Sequence, residues 1–349
     1  MNYNLNAPPI KEDALIIDHH AHIVPEGILK DLRAGRYAPT LRIEQGENWE
    51  TLVREDELSS QVRQTQNRIP REAVDPELRL SDMKAMGIDH QVLSAITGMT
   101  FYPLEAGMAG EIAASQNEGL AALAEKYPDK FSCIAGVPLQ DPPAAAAELD
   151  RAVKRGHKGV KIGTNVRGEN LDDTALDIFW DKVVSLDVPI LLHPGDIIGR
   201  ENRMKDYYLH NLISNPHDTT IAAACLMFGG VFDRFPNLKI ILAHLGGFTP
   251  WIRGRWDHGW EVRGEPKVKG AKSSDEYLSK FYYDTVIHNA DCLEFAVRTI
   301  GADQILYGTD APWDVGDLGP AREIPGLADL SLEDQEKILS GNAKKLFKI

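Results

Sequence analysis

The sequence predicts an α/β fold: a (β/α)8 TIM-type barrel with a small insertion after strand one. Short apolar runs alternate with helical stretches along most of the chain, which implies parallel strands joined by crossover helices. Eight such runs can be counted, the number that closes a barrel. The runner-up is a doubly wound sheet, but no glycine-rich dinucleotide fingerprint follows the first run. The length of 349 residues suits one domain over 1–349.

The elements follow in order. Residues 1–13 are polar and read as a lead-in. The apolar run Ala14-Leu15-Ile16-Ile17 opens strand one, which ends in Asp18-His19-His20-Ala21-His22. The segment 23–75 is polar, arginine-rich and thin in apolar residues, so it reads as an insertion or lid outside the main core. Pro76 in a first turn and Gly87 past the end bracket a helix over 76–86. Further strands are expected at 91–96, 131–137, 159–162, 188–192, 239–243, 281–286 and 304–307. Helices are expected at 104–127, 143–155, 174–186, 216–235, 251–262 and 291–300, and one at 332–347 closes the chain.

Composition narrows the function. The formal net charge of -14 argues against general affinity for nucleic acid or an anionic membrane surface. An anionic substrate would have to be drawn in by local positive charge. No run is long enough to span a membrane, and the N-terminus lacks the pattern of a signal peptide. Cys133, Cys225 and Cys292 stand far apart without paired spacing, which fits a reduced, cytoplasmic setting.

The chemistry-bearing residues fall at strand ends. Residues two apart on a strand point the same way, so His20 and His22 present two imidazoles to one side. His193 closes strand five, His244 closes strand six and Asp310 follows strand eight. In a (β/α)8 barrel the C-terminal strand ends converge on one face, where active sites sit. A lone histidine there is more often structural than ligating, but five such residues at matching positions make a divalent metal site. Asp18 is a candidate partner for a ligating imidazole, or else a turn acceptor.

With these residues assembled, the chain resembles the metal-dependent amidohydrolase superfamily, and within it the aminocarboxymuconate semialdehyde decarboxylase group. The resemblance rests on Asp18-x-His20-x-His22, on Asp75-Pro76-Glu77-Leu78-Arg79, on Gly159-Val160-Lys161-Ile162-Gly163, and on His193-Pro194-Gly195-Asp196. It continues through His244-Leu245-Gly246-Gly247, Gly254-Arg255-Trp256-Asp257 and Gly308-Thr309-Asp310-Ala311-Pro312-Trp313. It implies one divalent metal ion, zinc first and manganese as the alternative, held by His20, His22, His193 and Asp310. His244 and Asp310 would serve as catalytic residues in proton transfer. Arg255 matches an arginine that reaches a neighbouring subunit's site, which implies a homodimer. A second substrate arginine is placed at Arg68, with Arg71 next.

The implied reaction is non-oxidative decarboxylation of an aromatic or muconate-type acid, as in aromatic compound catabolism. The alternative is a metal-dependent hydrolase or hydratase acting on a lactone, amide or ring-cleavage product, since the same ligands serve either chemistry. Two positions depart from the group's best-known members. Gly195 stands where they carry tryptophan and should open the pocket; Lys161 stands where they carry glutamine and adds positive charge for a substrate carboxylate. His288 and Trp313 are further candidates for the substrate pocket.

Overall fold

Parallel strands laid down in chain order form the centre of the molecule. The computed structural model describes residues 14–46, 50–57, 62–197 and 203–349, so the expected lead-in over 1–13 lies outside the described residues. The first strands are β1 (Ile17–Ile23), β2 (Leu41–Gln45), β3 (Glu50–Glu57), β4 (Val62–Ile69), β5 (His90–Ala95) and β6 (Phe131–Cys133). They are followed by β7 (Ala135–Gly136), β8 (Val160–Ile162), β9 (Ile190–Leu192), β10 (Ile240–Leu242), β11 (Phe281–Asp284) and β12 (Ile305–Leu306).

β1 pairs with β5 and β5 with β6, while β7 to β12 each pair with the next, all in parallel. β6 and β7 are two pieces of one run that changes partner at Ile134. Its N–H donates to Leu93 O at 2.9 Å, and that of Ala135 to Gly159 O at 2.9 Å. The open ends meet through three bonds: His19 N–H to Tyr307 O (3.1 Å), Asp310 N–H to His20 O (2.8 Å) and His22 N–H to Ala311 O (2.7 Å). The eight runs thus make the expected barrel.

Alternation along the strands sorts the core. Ile190, Leu192, Ile240 and Leu242 pack outward against the helices, whereas Leu191 and Ile241 pack inward with Ile17, Val92, Ile134 and Leu306. Phe347 and Leu346 of the last helix plug that inner cluster. On β1 the pairing register shifts between Asp18 and Ala21. The shift exchanges the two faces, so Ile17 packs inward while Ala21 and Ile23 pack outward. That leaves His20 and His22 turned into the barrel mouth.

The helix Pro76–Met86 lies where its punctuation places it: Asp75 accepts from Glu77 N–H, and Gly87 ends it at φ 72°. Two expected helices are broken. The 216–235 stretch divides into Asn215–Phe228 and Val231–Arg234, because Gly230 turns left-handed at φ 71°. The closing helix over 332–347 is divided by a wider turn over Lys337–Gly341.

The insertion over 23–75 is more ordered than its composition suggests. This segment contains a helix, Glu26–Arg33, and the antiparallel sheet β2-β3-β4, with a buried cluster of its own. Ile28, Leu29, Leu32, Leu41, Leu52 and Ile69 bury together against Ile96, Met99 and Phe101 on the barrel rim. Its apolar residues are few, but folding gathers those of the cluster together, which a composition count does not register. Among the described residues no helix is long and apolar enough to cross a membrane.

Candidate metal centre and substrate pocket

Each member of the constellation is held from behind. His20 Nδ1 lies 2.7 Å from Asp284 Oδ2, His22 Nδ1 lies 2.8 Å from Ser94 Oγ, and His193 Nδ1 lies 2.9 Å from Pro194 O. A carboxylate and a carbonyl can only accept, so Nδ1 of His20 and of His193 carries the proton and Nε2 keeps its lone pair. Those lone pairs turn inward. Asp310 Oδ1 lies 2.9 Å from His22 Nε2, 3.4 Å from His20 Nε2 and 3.8 Å from His193 Nε2. Asp310 Oδ2 lies 3.4 Å from His244 Nε2. One ligand atom from each of His20, His193, His244 and Asp310 falls within a 4.8 Å cluster.

Proximity has not given these atoms hydrogen bonds. Nε2 of His20, His22 and His193, together with Asp310 Oδ1, is buried without a hydrogen-bond partner among the described residues. Buried polar atoms are rarely left so, and a group of them facing one point is what a missing cation would satisfy. Electrostatics agrees. Burial pushes His193 down to about 4 and His22 well below its ordinary value, leaving both neutral and able to ligate. Burial works against a charge on His20 as well, but the Asp310 and Asp284 carboxylates outweigh it and push its pKa up. A divalent cation would take the place of that proton. The residues therefore fit a divalent metal ion.

His244 differs from its neighbours. Its side chain is 15% exposed, against 0% for His20 and His22 and 4% for His193. Its backbone is left-handed at φ 57°, as is that of Leu245 at φ 50°. Strained backbone of this kind persists where surrounding bonds fix it, commonly at functional sites. Here Asp284 fixes it, because Oδ2 accepts from His244 N–H (2.8 Å) and Oδ1 from Leu245 N–H (2.7 Å).

Asp284 is the residue that sequence reasoning missed. The strand expected over 281–286 placed it mid-run, but β11 ends at Asp284. A lone carboxylate in an apolar strand was the available signal. Asp18, the candidate imidazole partner, instead accepts from His20 N–H (3.0 Å), Gln91 Nε2 (2.8 Å) and Thr309 Oγ1 (2.7 Å). It ties backbone and neighbouring strands together, the turn-acceptor alternative.

Two hollows meet at Asp310. The more polar, about 160 Å³, is lined by Arg54, His193, Gly195, Asp196, His210 and Trp313. The more apolar, about 540 Å³, includes Leu212, His244, Phe248, Trp251, Ile287 and His288. Trp313 lines the polar hollow and His288 the apolar one. Arg68 is exposed on β4 and lines neither hollow. The arginine that the insertion brings to the site is Arg54, 5% exposed, whose Nη2 donates to Asp196 Oδ1 at 2.6 Å. Lys161 is buried and donates to Ala95 O rather than lining either hollow, and burial pushes it down to about 7. Arg255 is exposed on the helix Thr249–Val262, also outside both linings. Gly195 has the space expected of it. A Cβ there would come no closer than 3.8 Å to Thr97 and Thr100, so packing does not require a glycine.

A buried histidine and carboxylate cluster at the C-terminal mouth of a parallel barrel defines a class, the metal-site (β/α)8 enzymes. The amidohydrolase family profile matches residues 17–349, and the chain belongs to that family. It is 33% identical over 271 residues to 2-amino-3-carboxymuconate-6-semialdehyde decarboxylase of Dictyostelium discoideum, covering 77% of this chain and 75% of that one. It is 32% identical over 287 residues to gamma-resorcylate decarboxylase of a Rhizobium species, covering 78% and 87%. The crystal structure of a dihydroxybenzoic acid decarboxylase from a Polaromonas species, with bound manganese and the inhibitor 2-nitroresorcinol, superposes with a TM-score of 0.74. That match has 27% identity and covers 96% of this chain and 97% of the other.

Proposed function

We propose that this protein is a metal-dependent non-oxidative decarboxylase of an aromatic or unsaturated carboxylic acid. The observation that carries the proposal is the cluster of buried, unpartnered Nε2 atoms of His20, His22 and His193 with Asp310 Oδ1, set directly beside a pocket with a buried arginine. His20, His22, His193 and Asp310 would hold the ion, which supplies Lewis acidity towards a substrate oxygen. The donor set of imidazoles and one carboxylate suits zinc, with manganese as the alternative.

The chain's own residues do the rest. Arg54 offers a planar two-pronged donor that orients the substrate carboxylate in the polar hollow. His244, the most accessible of the imidazoles, delivers a proton to the ring carbon that bears the carboxylate, and Asp310 Oδ2, 3.4 Å away, shares that proton. Protonation breaks the conjugation. The bond to the carboxylate carbon then cleaves, its electron pair restores the conjugated system, and carbon dioxide departs. The net change is one proton consumed and one carbon dioxide released.

The single-domain reading over 1–349 and a lid role for 23–75 belong to the same proposal, supported by Arg54 entering the site from that segment. So does a homodimer placing Arg255 near the partner's site. Its support is the exposure of Arg255 one helical turn from Trp251, which lines the apolar hollow. A cytoplasmic setting is supported by the three free cysteines. The test is carbon dioxide release from hydroxylated benzoic acids and carboxymuconate-type acids by zinc- or manganese-loaded protein. Release is expected; turnover of lactones, amides or ring-cleavage products without it would favour the hydrolase or hydratase.

A further inference from the structure

The larger hollow is mismatched to a small polar acid. Its volume is about 540 Å³, within the roughly 300–1,000 Å³ of sites that enclose drug-sized ligands. Its walls include Leu212, Phe248, Trp251, Val286 and Ile287, and its inner end is formed by His244 and Asp310. Three of these walls leave large apolar side chains open to water: Leu212 at 55%, Trp251 at 50% and Phe248 at 37%. Scattered exposed apolar residues need no explanation, but several lining one concavity mark a binding surface. The wall is also fixed in place, since Trp251 stacks on Phe295 with ring centroids 4.1 Å apart and planes within 4°. The polar hollow with Arg54 adjoins the larger one, sharing Asn211, Asn215, Asp310 and Val315.

From this division we infer that the substrate is a hydroxylated aromatic acid carrying an extended apolar substituent, alkyl or aryl. The inference rests on the decarboxylase reading for the position of the reacting carbon at His244 and Asp310. The carboxylate then points into the polar hollow and the substituent lies along Leu212, Phe248 and Trp251. The homodimer proposed above would bring a second copy to the outer rim at Trp251, and that copy is the other candidate cover for these side chains. The continuity of the hollow with His244 favours the substrate, because a chemical group placed there is joined directly to the reacting centre.

The experiment uses metal-loaded protein and 2,6-dihydroxybenzoate lengthened at the 4-position by methyl, propyl, pentyl and heptyl groups. The same series without the carboxylate, the 5-alkylresorcinols, is titrated by calorimetry. Each methylene buried should improve kcat/KM, and resorcinol affinity, by about fourfold until the hollow is full. Leu212→Asp should flatten this dependence, which is read as the ratio of the pentyl acid to the parent acid within each protein. If no acid loses carbon dioxide but resorcinol affinity still climbs with chain length, the hollow's role in holding an apolar substituent stands while the decarboxylase reading, and with it the acid as substrate, falls. If the parent acid is turned over and chain length has no effect on rate or affinity, the inference is overturned and the decarboxylase reading stands. A flat series together with a dimer that Leu212→Asp dissociates also overturns it, and assigns the surface to a second copy. A series flat in both rate and affinity with no turnover at all overturns both.

Discussion

Asp284 is the residue on which the metal centre and the proton donor both depend. Oδ2 accepts from His20 Nδ1 and His244 N–H, and Oδ1 accepts from Leu245 and Val286 N–H. Asp284→Asn keeps the shape but sets an NH2 group against two donors whichever way the amide turns. Toward His20 it would also favour the tautomer whose Nε2 carries the proton and cannot ligate. Metal affinity should fall by about 10- to 100-fold, the usual cost of losing a residue that orients a ligand. Competition with a chromogenic chelator measures this, and wild-type affinity would show that Asp284 does not set the tautomer. The residues proposed to hold the ion were legible because each follows an apolar run, where a polar residue has few structural reasons to be. Asp284 was not, because the end of β11 is set by the turn that His244 and Leu245 make against it. That contact spans about forty positions, and its one local mark is a lone carboxylate in an apolar strand.

Among the elements, the insertion illustrates the same limit. Its arginines were visible, but which of them enters the site depends on the pairing of β3 with β2 and β4, where Arg54 stands opposite Leu41 and Thr65. Local sequence does not specify that register, so Arg68 was preferred on resemblance. Arg54→Lys keeps the charge but loses the planar fork. It should raise KM for the carboxylate substrate at least tenfold with a smaller effect on kcat, read from steady-state kinetics. An unchanged KM would remove Arg54 from substrate binding. The barrel elements were far more legible, because parallel strands buried on both faces read as continuous apolar runs and the helices between them carry proline and glycine punctuation. Between the helix Pro142–Lys154 and β8, His157 is buried, and burial pushes its pKa down to about 4. Unfolded, it would titrate near 6.5. Between those values the unfolded chain binds the proton first, so the contribution is fully present above pH 6.5 and lost as pH falls towards 4, on the order of 3 kcal/mol. Urea unfolding at pH 7 and pH 4.5 should therefore show His157→Gln losing less stability on acidification than the parent. Equal losses would mean that His157 is not held neutral.

At the scale of the whole molecule, fold and charge have separate roles. The net charge of -14 gives an anionic substrate no general attraction, so the site must supply its own. Arg54 and the cation held at Asp310 would do so. The barrel makes this possible: the residues that would hold the ion come from β1 and from beyond the ends of β9 and β12, with His244 after β10 beside them, all brought to one rim by strand order. These residues are proposed to hold one catalytic ion. The most direct test is metal content by elemental mass spectrometry on the purified protein and on His193→Ala, each stripped with chelator and then reloaded. About one divalent ion per chain in the parent and essentially none in the variant is the predicted result. No ion retained by the parent after reloading, or the same content in both proteins, would contradict the metal centre and the mechanism built on it.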